Sequence, residues 1–196
     1  MHDLIDPSQD GSVEGRDEQL PWWLHGEMLV AAAGGGWIAV AIAILPSLGT
    51  DSALWLLLFL AAPFYEEALK PLGVCFVFLC WPNVSLSRLR IASLAAVGGL
   101  TFGLVESWLY VDAYPEGGAV FVLFRFTAPV AMHIAASFIF GLGLTPTIFG
   151  QLWSGRVPGR TRQAYLTAVG IHAAYNLTVL LLAVVGAREL AEQTSP

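Results

Sequence analysis

The chain has 196 residues, of which 56% are hydrophobic and only 12% charged, with a mean hydropathy of +0.67 and a net charge of −6. A soluble domain carries about 25% charged residues, so this composition excludes an ordinary soluble globular class: the surplus apolar surface needs lipid to cover it. Seven of the fifteen acidic residues lie within residues 1–27, where Arg16 is the sole basic residue, so a nucleic-acid partner has no electrostatic support.

Residues 1–27 carry Asp3, Asp6, Asp10, Glu14, Asp17 and Glu18 among scattered Gly and Ser. They read as an acidic, mostly disordered tail with an interfacial anchor at Pro21-Trp22-Trp23. A basic stretch followed at once by an apolar core is missing, so no cleavable signal peptide is read here.

A span needs about 20 apolar residues. The candidates in chain order are Met28–Pro46, Ala53–Trp81, Ile91–Val111, Ala128–Ile148 and Ala164–Val185. The second holds 29 residues, about 43 Å of helix, too long for a simple span. Pro63 and Pro71 predict a bend or break inside it, or a half-span followed by a span. The stretch Ala119–Thr127 extends the fourth helix or lies at the interface, with Arg125 read as snorkelling or interfacial. The predicted fold is therefore all-α, a polytopic transmembrane helix bundle of about five to six membrane segments. Residues 28–186 form its single domain and 187–196 a short C-terminal tail. With five spans, Arg16, Arg88, Arg90, Arg156, Arg160 and Arg162 fall on one side and Arg188 on the other. The bias predicts a cytoplasmic N-terminus. Gly99 with Gly103, and Gly141 with Gly143, read as helix-packing positions. Cys75 and Cys80 read as buried free thiols.

Polar residues at membrane depth carry the functional signal. Glu66, Glu67 and Lys70 lie in the middle of the second hydrophobic run. A carboxylate there costs about 2.5–3.5 kcal/mol on insertion scales, so the triplet must face the protein interior and be paired or used there. Glu66 and Lys70 share a helix face, and Glu67 can also reach Lys70, leaving the other carboxylate available as a base. Glu106 lies in the third segment, His133 in the fourth, and His172 with Asn176, one turn apart on one face, in the fifth. Counting helical rise from the segment ends brings these groups to one site at mid to outer depth, open towards the outside. Carboxylates, histidines and an amide supply a general base, a proton shuttle and an oxyanion donor, the set required for water attack on a peptide carbonyl. HExxH and GxSxG are both missing. Asp51 and Asp112 fall in predicted loops, against an aspartyl dyad. Taken singly, each group has a structural reading too: Glu106 lining a water cavity, His133 bonded to a backbone carbonyl, and His172 with Asn176 as an interhelical hydrogen-bond pair.

The order Glu66-Glu67-Ala-Leu-Lys70, Phe102-x-x-x-Glu106, His133 with Gly141 eight residues on, and His172-x-x-x-Asn176 resembles the PrsW family of the CAAX-protease and bacteriocin-processing superfamily. The family pattern reads EExxK, FxxxE, HxxxxxxxG and HxxxN or HxxxD, and the match spans about residues 53–186. Ser107 departs from it, where many relatives have Asn. The resemblance implies an intramembrane endopeptidase over residues 28–186, with Glu66 as general base. Glu67 supports it or holds Lys70, and Phe102 belongs to the same motif set. Glu106 helps bind the water, His133 is a polar wall or proton shuttle, and His172 and Asn176 stabilise the oxyanion. No cofactor is predicted, because the superfamily analogy favours a metal-free glutamate mechanism. Zinc on Glu106, His133 and His172 is the alternative. The implied partners are a lipid bilayer and a membrane-anchored protein substrate cut on its outer side, such as an anti-sigma factor. The implied location is the plasma membrane of a prokaryote. Two other readings stand beside this one: an inactive scaffold or immunity protein of the same superfamily, and a cation-coupled transporter, which the missing inverted repeat disfavours.

Overall fold

The computed structural model describes residues 22–44 and 52–194, which are helical with no strand among them. Helix α1 spans Trp22–Ile44, α2 Ser52–Leu69, α3 Leu72–Cys80, α4 Arg88–Ala113, α5 Gly118–Arg125, α6 Ala128–Gly141, α7 Ile148–Trp153 and α8 Gly159–Thr194, with a 3-10 turn at Pro115–Gly117 before α5. This is the all-α polytopic bundle expected. Four stretches are long and apolar enough to cross a membrane: Leu24–Ala43, Arg88–Ala113, Pro115–Gly141 and Gly159–Gly186. Helices α2 and α3 together correspond to the second hydrophobic run, which is broken between them.

Several boundaries differ from the sequence reading. Helix α1 begins at Trp22, so the tryptophan pair expected as an interfacial anchor opens the first span. The expected disorder of residues 1–21 lies outside the described residues. The fourth segment stops at Gly141, short of Ile148, because Gly141, Gly143 and Pro146 follow in close order. Helix α8 runs on to Thr194 through the stretch read as a tail.

The break in the second segment falls at Lys70-Pro71. Pro71 has no N–H to give the carbonyl of Glu67, so α2 ends there. A new helix starts as Cys75 N–H donates to Pro71 O at 2.9 Å. Pro63, by contrast, sits inside α2. The hydroxyl of Tyr165 donates to the carbonyl of Phe64 at 2.7 Å, tying α8 to α2 one residue after that proline. Ser87 caps α4, its Oγ accepting from Arg90 N–H at 3.3 Å.

Helices α4 and α6 form the largest interface, and α1 packs on α4 and α3. Glycines make these approaches close. Gly35 of α1 meets Gly73 of α3 backbone to backbone, with no room for a side chain on either. A Cβ on Gly99 would fall 2.5 Å from the carbonyl oxygen of His133, and one on Gly103 would lie 3.0 Å from that histidine's ring. The α4 glycines therefore position α6 and His133 with it. Cys75 and Cys80 are free, as expected, but Cys75 is half-buried and Cys80 exposed.

Candidate active site

Glu66, Glu67 and Lys70 occupy the last turn of α2 and the first residue of the break. Glu67 and Lys70 are fully buried, His133 is 1% exposed and His172 2%. Burial of this many polar groups demands partners, and a continuous chain of contacts supplies them. Lys70 Nζ donates to Glu67 Oε1 at 2.5 Å and to His133 Nδ1 at 2.7 Å. Glu67 Oε1 also accepts from His172 Nδ1 at 2.7 Å. On the far side, His133 Nε2 donates to Glu106 Oε2 at 3.1 Å, and Arg125 Nη2 donates to the same oxygen at 3.1 Å. The chain runs Arg125–Glu106–His133–Lys70–Glu67–His172 and links α5, α4, α6, α2 and α8.

Hydrogen-bond capacity settles the tautomers. An ammonium only donates, so His133 Nδ1 accepts and its proton lies on Nε2, facing Glu106. A carboxylate only accepts, so His172 carries its proton on Nδ1 and turns a bare Nε2 outward. That nitrogen lies 3.8 Å from Glu66 Oε2. Glu66 Oε2 is buried and has no hydrogen-bond partner; Lys70 Nζ is 3.9 Å away. Phe102 closes the cluster from the side. Its ring centroid lies 4.6 Å from Lys70 Nζ and 5.0 Å from the His133 ring. The His133 and His172 rings stand edge to face at 5.0 Å.

A cavity of about 430 Å³ opens onto this cluster, lined by Glu66, Glu106, His133, His172 and Asn176 among others. Its walls include the C-terminal ends of α1 and α4, at Ala43 and Ala113, and the start of α6, at Pro129. All the expected residues thus converge on one end of the bundle. Asn176 lies on the cavity wall one turn beyond His172 and takes no part in the contact chain.

Arg125 and Ser107 depart from expectation. Arg125, read from the sequence as snorkelling or interfacial, turns inward: it pairs with Glu106, stacks on Tyr110 at 3.9 Å, and lines the cavity. Ser107, the departure from the family pattern, donates from Oγ to the backbone carbonyl of Arg125 at 2.5 Å. Adjacent α4 residues therefore hold Arg125 by its side chain and by its backbone. A cation eight residues before His133 carries no motif of its own, which is why sequence reading gives it no part in the site.

The groups able to hold a metal also differ from the expected set. Glu66, His133 and His172 bring ligand atoms within 4.8 Å of one another. Glu66 takes the place expected for Glu106, which is occupied by Arg125 and His133. Two histidines and one carboxylate match a catalytic metal site with an open position. The orphaned Glu66 Oε2 and the bare His172 Nε2 are ready ligands. His133 has both ring nitrogens engaged and joins only by releasing Lys70 or Glu106.

A membrane helical bundle with carboxylates and histidines around a cavity has the groups that an intramembrane hydrolase requires. The chain belongs to the PrsW family of intramembrane metalloproteases, whose family model matches residues 20–191. That description carries a metal, against the metal-free preference of the superfamily analogy. No curated protein and no solved structure matches the chain.

Proposed function

We propose that this protein is an endopeptidase that hydrolyses a peptide bond of a membrane-anchored protein, with Glu66 as general base on the attacking water. One observation carries the reading. Glu66 Oε2, buried and without a partner, faces His172 Nε2 at 3.8 Å. Two acceptors at that spacing hold one water between them. Glu66, His133 and His172 would hold a zinc ion, which when bound would replace the Glu66 and His172 contacts to the water, acidify it and polarise the scissile carbonyl.

The residues of the chain do the rest. Glu66 takes a proton from the water as its oxygen bonds to the carbonyl carbon, and the π electrons move to the carbonyl oxygen. The Asn176 amide donates to that oxyanion. His172 is not the donor, because its Nδ1 proton is committed to Glu67; it holds the water instead. Glu66 then passes its proton to the leaving nitrogen as the C–N bond breaks. Lys70 offsets the charge of Glu67, Phe102 shields Lys70, and Glu106 orients His133, which closes the site and relays protons.

The N-terminus is assigned to the cytoplasm from the arginine bias, which places the cavity in the outer half of a prokaryotic plasma membrane. The substrate class is a membrane-anchored protein cut near its outer side, such as an anti-sigma factor. New N-termini in membranes of cells making wild type or Glu66→Gln, at equal levels, test this. A small set of membrane proteins cut by wild type alone is expected. Identical patterns where the protein is needed would overturn hydrolysis and favour a scaffold.

A further inference from the structure

Two buried donors at the cavity have no use in the mechanism above. Arg125 Nε and the Tyr175 hydroxyl are each buried without a hydrogen-bond partner, and both residues line the cavity that holds Glu66 and His172. A buried donor left unpaired is costly, so each calls for an acceptor in the working state. Arg125 is well fixed for such a task. Its side chain is 12% exposed, Glu106 holds Nη2, Ser107 holds its backbone carbonyl, and Tyr110 supports its flat face.

We propose that Arg125 and Tyr175 form a cradle for substrate backbone carbonyls beside the catalytic groups, a role that rests on the peptidase reading. A peptide segment must be unwound to expose its scissile bond. In a membrane its carbonyls then lack both helical donors and bulk water, so the enzyme must supply donors. The choice of a neutral carbonyl over an acidic side chain follows from charge. Glu106 already matches the charge of Arg125. A substrate carboxylate there would bring a second negative charge against Glu106. The cavity thus offers acceptors at Glu66 and His172 and unspent donors at Arg125 and Tyr175, complementary to an amide that has both kinds of group.

Cleavage of fluorophore-labelled β-casein by the full chain in detergent tests this, with Glu66→Gln as the blank. Tyr175→Phe and Arg125→Lys should each raise KM by about three- to tenfold, the effect of one lost hydrogen bond, while kcat changes less than KM. Arg125→Lys keeps the charge facing Glu106 but lacks the Nε donor. It should therefore melt like wild type while its KM stays raised. Casein esterified on its carboxyl groups should give the same KM ratios. Unchanged KM in either variant overturns the cradle. Loss of the ratios on esterification assigns the site to acidic side chains and overturns it too. Wild type that cuts casein no faster than Glu66→Gln, together with identical membrane N-termini for the two proteins, removes the peptidase reading itself.

Discussion

Glu67 Oε1 lies 2.7 Å from His172 Nδ1, although the two residues stand 105 positions apart. This bond decides which nitrogen of His172 meets the cavity. Glu67→Leu removes the acceptor and lets the ring turn. Loss of an orienting partner of this kind costs about 10- to 100-fold in activity or metal affinity. Glu66→Gln should cost more, since it removes the base itself, worth about 10²- to 10⁴-fold. Steady-state kinetics on both variants check the order; equal or reversed losses would make Glu67 the base.

Metal content separates the two possible ligand sets. Glu66→Gln should lower bound metal in the purified protein, while Glu106→Gln should retain it, because Glu106 is held by Arg125 and His133. Elemental analysis after dialysis reads this directly. A chelator should remove activity from wild type, and added zinc should restore it. Metal lost from Glu106→Gln and kept by Glu66→Gln would reinstate the set expected from sequence.

Lys70 has no exposure and pairs with Glu67 at 2.5 Å. Lys70→Met leaves Glu67 in the interior with its His172 hydrogen bond but no counter-charge, a change that costs up to about 3–5 kcal/mol. The double variant Lys70→Met with Glu67→Gln removes the stranded charge and should recover part of that loss. Thermal unfolding in detergent measures both, and a double variant less stable than Lys70→Met alone would contradict the pairing.

A methyl on Gly99 would lie 2.5 Å from the carbonyl oxygen of His133 and 2.6 Å from Ser137 Oγ. Gly99→Ala should therefore destabilise by about 1–3 kcal/mol through overpacking, and reduce activity because His133 moves with α6. Gly170 on α8 has nothing within 4 Å. Gly170→Ala is the matched control, neutral or more stable by up to about 1 kcal/mol. The contrast is read by melting temperature and activity together.

Much of this site is legible in the chain. Glu66, Glu67, Lys70 and His172 stand out because charge and imidazole at membrane depth are costly, and their spacing fixes which share a helix face. Pro71 announces the helix break. What escapes depends on how helices meet. Rise per residue locates a group to within a turn along its own axis, but says nothing of which neighbour is nearer across the bundle. Hence Glu106 is expected among the metal ligands where Glu66 stands, and Arg125 reads as interfacial when α5 turns it inward. Gly99 and Gly103 are readable as packing positions, yet their partner, His133, is set by the α4–α6 crossing.

Helix α6 holds 14 residues, about 21 Å of rise, against a hydrocarbon core of about 30 Å. Helix α5 completes the crossing over Pro115–Gly141, so the turn at Phe126-Thr127 falls inside one span. His133 lies five residues after the start of that helix, about 8 Å along it. His133 and Arg125 therefore flank that turn and meet across Glu106, so the cluster sits where the span is interrupted.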